Sequence, residues 1–310
     1  MNTMSNEQRT TNNGPSVVRF IICLIMFTLI TGNLDFISAM SWPSEDAVLL
    51  RNFGANDRGK PVLGMIFSGG SEVQAADRGE VIFSRSRNDN ASRLPSPLGA
   101  WTAVDHGDGL ISIYSRYADP AETDNAAAPY PHVEKGQQIA YPGISGWSSR
   151  DGFNFMIIDR RERRWVNPAM IITPALRTRN PQILSVELKN SQGQTIQSRN
   201  INQGRYAVLV NTISPPAVIG APGINMAPQR ITCLINGAET ASLIFESFSA
   251  RDGSLMVYRN GLVPARQIYS GFPSFEASEV FFTRGQVTLE IIVQDITGNT
   301  SGSVMRLSVN

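Results

Sequence analysis

An all-β protein in two parts, preceded by a single apolar helix, is the architecture this sequence predicts. Three observations predict it. From residue 61 to 173, short β-type runs are cut by Gly, Asp and Pro. From residue 181 to the end, half-buried alternating runs recur with a turn signal roughly every ten to fifteen residues. Helical periodicity is nearly absent outside one apolar run close to the N-terminus. A chain of 310 residues suggests about two domains, each large enough to bury its own core.

Residues 1–16 are polar and rich in Asn and Thr. Arg9 and Arg19 then precede the apolar run Phe20 to Ile30, which Gly32 and Asn33 break before Ile37-Ser38-Ala39. A basic flank, a short apolar stretch and small residues at its end read as an export signal. The run falls short of the ~20 apolar residues that a membrane span needs. Residues 1–39 are therefore expected to be a signal peptide cleaved near Ala39 or, if uncleaved, a membrane anchor built from residues 17–39. Residues 40–60 read as a short polar lead-in.

The first β part, residues 61–173, contains the runs Glu80 to Phe83, Trp101 to Val104, Leu110 to Tyr114 and Phe153 to Ile158. Two longer loops, Ser84 to Pro97 and Ala118 to Pro131, are rich in Asn, Ser, Ala, Asp and Pro. Asp159-Arg160-Arg161-Glu162-Arg163-Arg164 reads as a solvated hairpin tip rather than a binding patch. The second β part, residues 174–310, gives about seven short strands. Ile183 to Leu188 leads to a turn at Asn190 to Gly193, and Arg205 to Val210 follows a turn at Asn202-Gln203-Gly204. The run Ile231 to Ile235 ends in Asn236-Gly237, a strong hairpin signal. Gln286 to Val293 ends in Asp295 to Asn299, and Ser303 to Val309 closes the chain. The spacing reads as a β-sandwich, and it resembles the immunoglobulin-like modules of exported bacterial proteins. Ser214 to Pro228, rich in Pro, Gly and Ala, reads as a loop between strands or an edge crossing.

In the first β part the order of motifs is specific. Val73-Gln74-Ala75 to Gly79-Glu80-Val81 is followed by Val104-Asp105-His106-Gly107-Asp108-Gly109, then by Tyr114-Ser115-Arg116-Tyr117, Val133 to Ala140 and Gly152-Phe153-Asn154-Phe155. This order resembles the β-sheet core of the lysostaphin-type zinc endopeptidases, which cut peptidoglycan cross-bridges. The resemblance covers about a third of the chain. It implies an early pair of zinc ligands where this sequence has Val62 and Ile66, and a last ligand histidine where it has Asn154. It implies supporting catalytic histidines where this sequence has Arg116 and Gly152. His106 matches a histidine common in that family that is not a zinc ligand.

A catalytic zinc needs about three protein ligands and an open position for water. Valine and isoleucine cannot donate to a metal, asparagine replaces imidazole poorly, and glycine offers no side chain. Arg116 brings a fixed positive charge where a neutral histidine is implied. The chain has two histidines in all, His106 and His132, and their spacing fits no standard zinc motif. The expected reading is a pseudoenzyme with no cofactor, zinc having been lost. Val62, Ile66, His106, Arg116, Gly152 and Asn154 then line a degenerate groove. Arg116 and Asn154 either bind a ligand there or fill the hole, Arg116 pairing with Asp105 or Asp108.

Three functions compete at this stage. The first is a non-catalytic, exported cell-envelope protein, in the periplasm or envelope, that binds peptidoglycan or docks a wall hydrolase or division protein. The second is an active zinc metalloendopeptidase with an atypical ligand set. The third is a structural or adhesive envelope protein. The charge balance, 27 Lys and Arg against 26 Asp and Glu, argues against a nucleic-acid partner. Membrane contact is expected only through an uncleaved N-terminal segment. Cys233 would be the one cysteine left after cleavage, and it lies in an alternating run that reads as a buried strand. Asp295 to Asn299 reads as an Asx turn rather than a calcium loop.

Overall fold

The structure is a computed structural model that describes residues 40–85, 96–118, 131–172, 180–213 and 226–310. The expected leader, the middles of the two longer loops, the junction at 173–179 and most of the Pro- and Gly-rich gap lie outside the described residues. Ala39–Asn310 forms one compact unit. The fold is all-β, as the alternation predicts. Helix is confined, among the described residues, to single turns at Pro168–Met170 and Ala265–Ile268. No helix among them is long and apolar enough to cross a membrane.

The first part is an antiparallel sheet around the strand Gly152–Asp159. Met65–Ser68 and then Val48–Arg51 extend it on one side. Leu110–Tyr117, Ala100–Asp105, Gly79–Arg85 and His132–Val133 extend it on the other. Side chains on successive strand residues point to opposite faces, so the sequence Gly-Phe-Asn-Phe-Met-Ile sorts itself. Phe153, Phe155 and Ile157 enter a core with Met65, Phe67, Val104 and Tyr114. Phe67 stacks on Phe153 at 5.0 Å between ring centroids, and Tyr114 lies 5.3 Å from Phe155. Each such ring contributes roughly 1.5–3 kcal/mol through burial. Gly152, Asn154 and Met156 are left on the opposite face.

The second part is a β-sandwich. One sheet runs Thr195–Ile196, Gln182–Asn190, Gly204–Ile213, Phe275–Phe282. The other runs Asn200–Ile201, Thr300–Val309, Gly285–Gln294, Arg230–Ile235, Ala238–Arg251. Val208, Val210, Phe275 and Phe282 of the first sheet meet Ile231, Leu243, Phe245 and Leu289 of the second in a common core. The hairpin read from Asn236-Gly237 is present. Both residues have positive φ, 51° and 81°, and they join Arg230–Ile235 to Ala238–Arg251 as a type I′ turn requires. Cys233 is fully buried in this core, and burial raises its thiol pKa to about 12.

Two expectations need correction. Among the described residues the second part holds eleven strands rather than about seven, because short pieces such as Thr195–Ile196, Asn200–Ile201 and Leu262–Pro264 pair where no alternation announces them. Residues 40–60 are also no polar lead-in. Phe53 is fully buried in the sandwich core, where it packs on Phe248 at 5.2 Å. Asn52 donates to the Ala227 carbonyl at 2.7 Å and accepts from the Ala227 N–H at 2.8 Å. Phe53 stands between Arg51-Asn52 and Gly54, outside any alternating run, so it gives no periodic signal of its burial.

Candidate functional site

The register of the first sheet puts Asn154 directly opposite Ile66 on one side and Ser115 on the other. Arg51 lies beyond Ile66, and Trp101 beyond Ser115. These residues form one row across the face turned away from the aromatic core. Gly152 lies two residues from Asn154 on the same face, opposite Ser68.

Arg116 enters this row through an irregularity. Ala100 and Trp101 are consecutive, yet they pair with Tyr117 and Ser115, so Arg116 is the extra residue of a β-bulge. Its φ is 62°, in the left-handed region that L-residues with long side chains seldom occupy. Its N–H donates to the Leu98 carbonyl at 2.8 Å. The bulge lets Ser115 face Asn154 while Tyr117 faces the core, where the Tyr117 hydroxyl meets Thr102 Oγ1 at 2.8 Å.

The polar groups of this row are poorly satisfied. Ser115 is fully buried and its hydroxyl has no hydrogen-bond partner. Arg116 Nε is also buried without one. Among the described residues the Arg116 guanidinium makes no ion pair. Desolvation lowers its pKa, and the charge of Asp57 opposes that shift; the group remains a cation at any physiological pH. Asp57 itself lies 3.9 Å from Arg51.

Of the residues singled out in the sequence, Ile66, Arg116, Gly152 and Asn154 come together. Val62 stands at a backbone bridge, its carbonyl accepting from Gly54 N–H at 2.8 Å and its N–H donating to the Ala55 carbonyl at 3.0 Å. His106 is apart. Its Nδ1 donates to the Arg78 carbonyl at 2.8 Å, and its Nε2 lies 2.7 Å from Ser112 Oγ. Ser112 Oγ is in turn 3.0 Å from the hydroxyl of Tyr114, which accepts from Ala76 N–H at 2.7 Å. This network is directed at the core side of the sheet. The pairing of Arg116 with Asp105 or Asp108 is not found. Asp105 lies at the other end of the strand pair, opposite Ile111, and meets Arg160 at 3.5 Å. Ser115 and Asp57 were not singled out. Alternation from Tyr114 gives Ser115 its face, and the bulge that follows it turns Tyr117 back to the core.

The donor set does not fit a zinc ion. The paired positions Ile66 and Asn154 offer one amide, and among the described residues no three His, Cys, Asp or Glu side chains gather as a metal set. Gly152 is constrained further. Its φ is 152°, and a Cβ there would lie 2.0 Å from the Phe67 carbonyl oxygen, so this backbone accepts no side chain at that position.

A protein-family model matches residues 180–310. No curated protein matches the chain. Several solved structures are similar at low identity. A mutant catalytic domain of the prophage-encoded M23 protein EnpA from Enterococcus faecalis is 19% identical, over 42% of this chain and 95% of that one, with a TM-score of 0.33. The catalytic domain of the antimicrobial peptidase lysostaphin from Staphylococcus simulans is 18% identical, over 37% of this chain and 82% of that one, with a TM-score of 0.29. A chain of the SpoIIQ-SpoIIIAH pore forming complex is 18% identical, over 43% and 90%, with a TM-score of 0.32. Likenesses at this level leave the site to be argued from its own residues.

Proposed function

We propose that this chain is a non-catalytic, exported cell-envelope protein whose first β part is a peptidase-like domain without its metal. In this reading the domain binds peptidoglycan or docks a wall hydrolase or division protein, and the sandwich, read as immunoglobulin-like, supports it. The observation that carries the reading is the direct pairing of Ile66 with Asn154. Both stand where the sequence resemblance implies zinc ligands, and neither supplies imidazole or carboxylate to a metal. Gly152 adds weight, because the histidine implied there has no room beside the Phe67 carbonyl. A strand order that keeps the sheet while the ligands have changed is consistent with a groove retained for binding.

The test is metal content and sacculus chemistry on one preparation. The expected result is substoichiometric zinc after dialysis against a zinc buffer, no release of soluble fragments from purified sacculi, and co-sedimentation with them or with an envelope protein. One equivalent of zinc with fragment release would restore the active-peptidase reading.

A further inference from the structure

Ser115, Arg116 and Asn154 form a group whose polar atoms lack partners, and it is unusual in three respects. Ser115 Oγ and Arg116 Nε are buried and unpaired. Buried polar atoms are nearly always hydrogen-bonded, so two neighbours without partners call for an explanation. Asn154, directly opposite Ser115, makes no side-chain hydrogen bond to any described residue. Arg116 is also held at a positive φ that costs an L-residue energy, although glycine would fit the same bulge freely. Strain concentrated beside unsatisfied donors is a mark of a ligand site.

From this geometry we propose that Ser115, Arg116 and Asn154 form a receptor for one carboxylate, that of the C-terminal residue of a short peptide. This rests on the reading of the groove as a binding surface and names what it binds. The donors present are a guanidinium edge, a hydroxyl and an amide. A guanidinium presents two parallel N–H groups to the two oxygens of a carboxylate. Arg51 and Arg116 against Asp57 leave one net positive charge, which suits a monoanion better than a dianionic phosphate. The rim supplies an apolar surface for the residue that bears the carboxylate. Trp147 is 74% exposed, and its backbone N–H donates to the Pro97 carbonyl at 3.1 Å, next to the Leu98 carbonyl that holds Arg116. Ser145 of the same loop accepts from Ala100 N–H at 3.1 Å, which fixes the loop against the strand that leads to Trp101.

The test uses acetyl-dialanine with a free C-terminal carboxylate, in both stereochemical forms, and the same peptide as its C-terminal amide. Binding is followed through the Arg116 Nε–H resonance of the 15N-labelled protein. The expected result is a saturable shift with the free acid and none with the amide. Arg116→Asn, which tolerates a left-handed backbone, should weaken binding at least tenfold while the rest of the spectrum is unchanged. Arg116→Lys, which keeps the charge but not the fork, should also weaken it. Equal response to acid and amide, unchanged affinity in Arg116→Asn, or no shift at millimolar peptide would overturn the receptor. So would a resonance moved by Asp57→Asn and by no peptide, because Asp57 would then be the partner of Arg116. Sedimentation with sacculi is read separately. Peptide uptake without sedimentation sinks the envelope reading alone, and sedimentation without peptide uptake sinks the receptor alone.

Discussion

Arg116 and Gly152 sit near one another in the same sheet and illustrate opposite uses of unusual backbone. At Arg116 the left-handed φ of 62° carries an L-residue, at a cost of roughly 1–2 kcal/mol. Replacing it with glycine removes that strain, while the greater freedom of glycine in the unfolded chain offsets about 1 kcal/mol of the gain. Arg116→Gly should therefore leave stability unchanged or raise it by up to about 1 kcal/mol, although it deletes the largest side chain of the group. At Gly152 the same comparison has the other sign. A Cβ would meet the Phe67 carbonyl at 2.0 Å, so Gly152→Ala should cost about 2–4 kcal/mol through strain and overpacking. Urea denaturation of both variants checks the pair, and a large loss in Arg116→Gly would make Arg116 a packing residue. The sequence order located both positions, since turn and strand motifs align without knowledge of the fold. It did not reveal the bulge, because an extra residue in one strand shows only against its partner strand.

At the scale of elements, the hairpin that closes Gly152–Asp159 onto Arg164–Val166 depends on Asp159. Its Oδ1 accepts from the N–H groups of Arg161 and Glu162 at 3.0 and 3.1 Å, and Arg164 lies 3.4 Å from Oδ2. The N–H of Glu162 is the largest cause of a carboxyl pKa below its ordinary 3.8, with burial opposing it and Arg164 and Arg161 adding to it. A lowered folded pKa means that the stabilisation is complete above the unfolded pKa and disappears as pH falls through the folded one. Asp159→Ala should cost about 1.5–3 kcal/mol near neutral pH, the scale of hydrogen bonds to a charged group. The gap from wild type should narrow steadily below about pH 4. Denaturation curves at several pH values decide it, and a gap independent of pH would mean that the carboxylate charge does not matter. Turns of this kind were legible because their chemistry is local. Asp295 likewise accepts from the N–H groups of Thr297 and Asn299, as an Asx turn does. Arg164–Val166 was not legible as a pairing strand, because its second partner, Ser247 to Ser249, lies some eighty residues along the chain.

That distant pairing matters most for the whole molecule. The long strand Ala238–Arg251 pairs with Arg230–Ile235 near its start and with Arg164–Val166 near its end. One hydrogen-bonded sheet therefore runs from the first β part into the sandwich. Asn167 reinforces the crossing, donating from its side chain to the Phe245 carbonyl at 3.0 Å and from its backbone to the Glu246 carbonyl at 2.9 Å. The segment between Val48–Arg51 and Met65–Ser68 contributes as well: Phe53 fills the sandwich core, and the Tyr269 hydroxyl donates to the Gly54 carbonyl at 2.5 Å. Contacts of this number between the parts couple their unfolding, so residues 40–310, which form one compact unit, should melt in a single transition. Phe53→Ala gives the sharpest check. Truncating a fully buried phenylalanine costs about 3–5 kcal/mol. Phe53 lies outside residues 180–310 in sequence but inside their core in space. Calorimetry should show the whole endotherm moving to lower temperature in Phe53→Ala. An endotherm that splits, with the sandwich melting where it did before, would mean that Phe53 is dispensable to that core. The two β parts would then unfold independently.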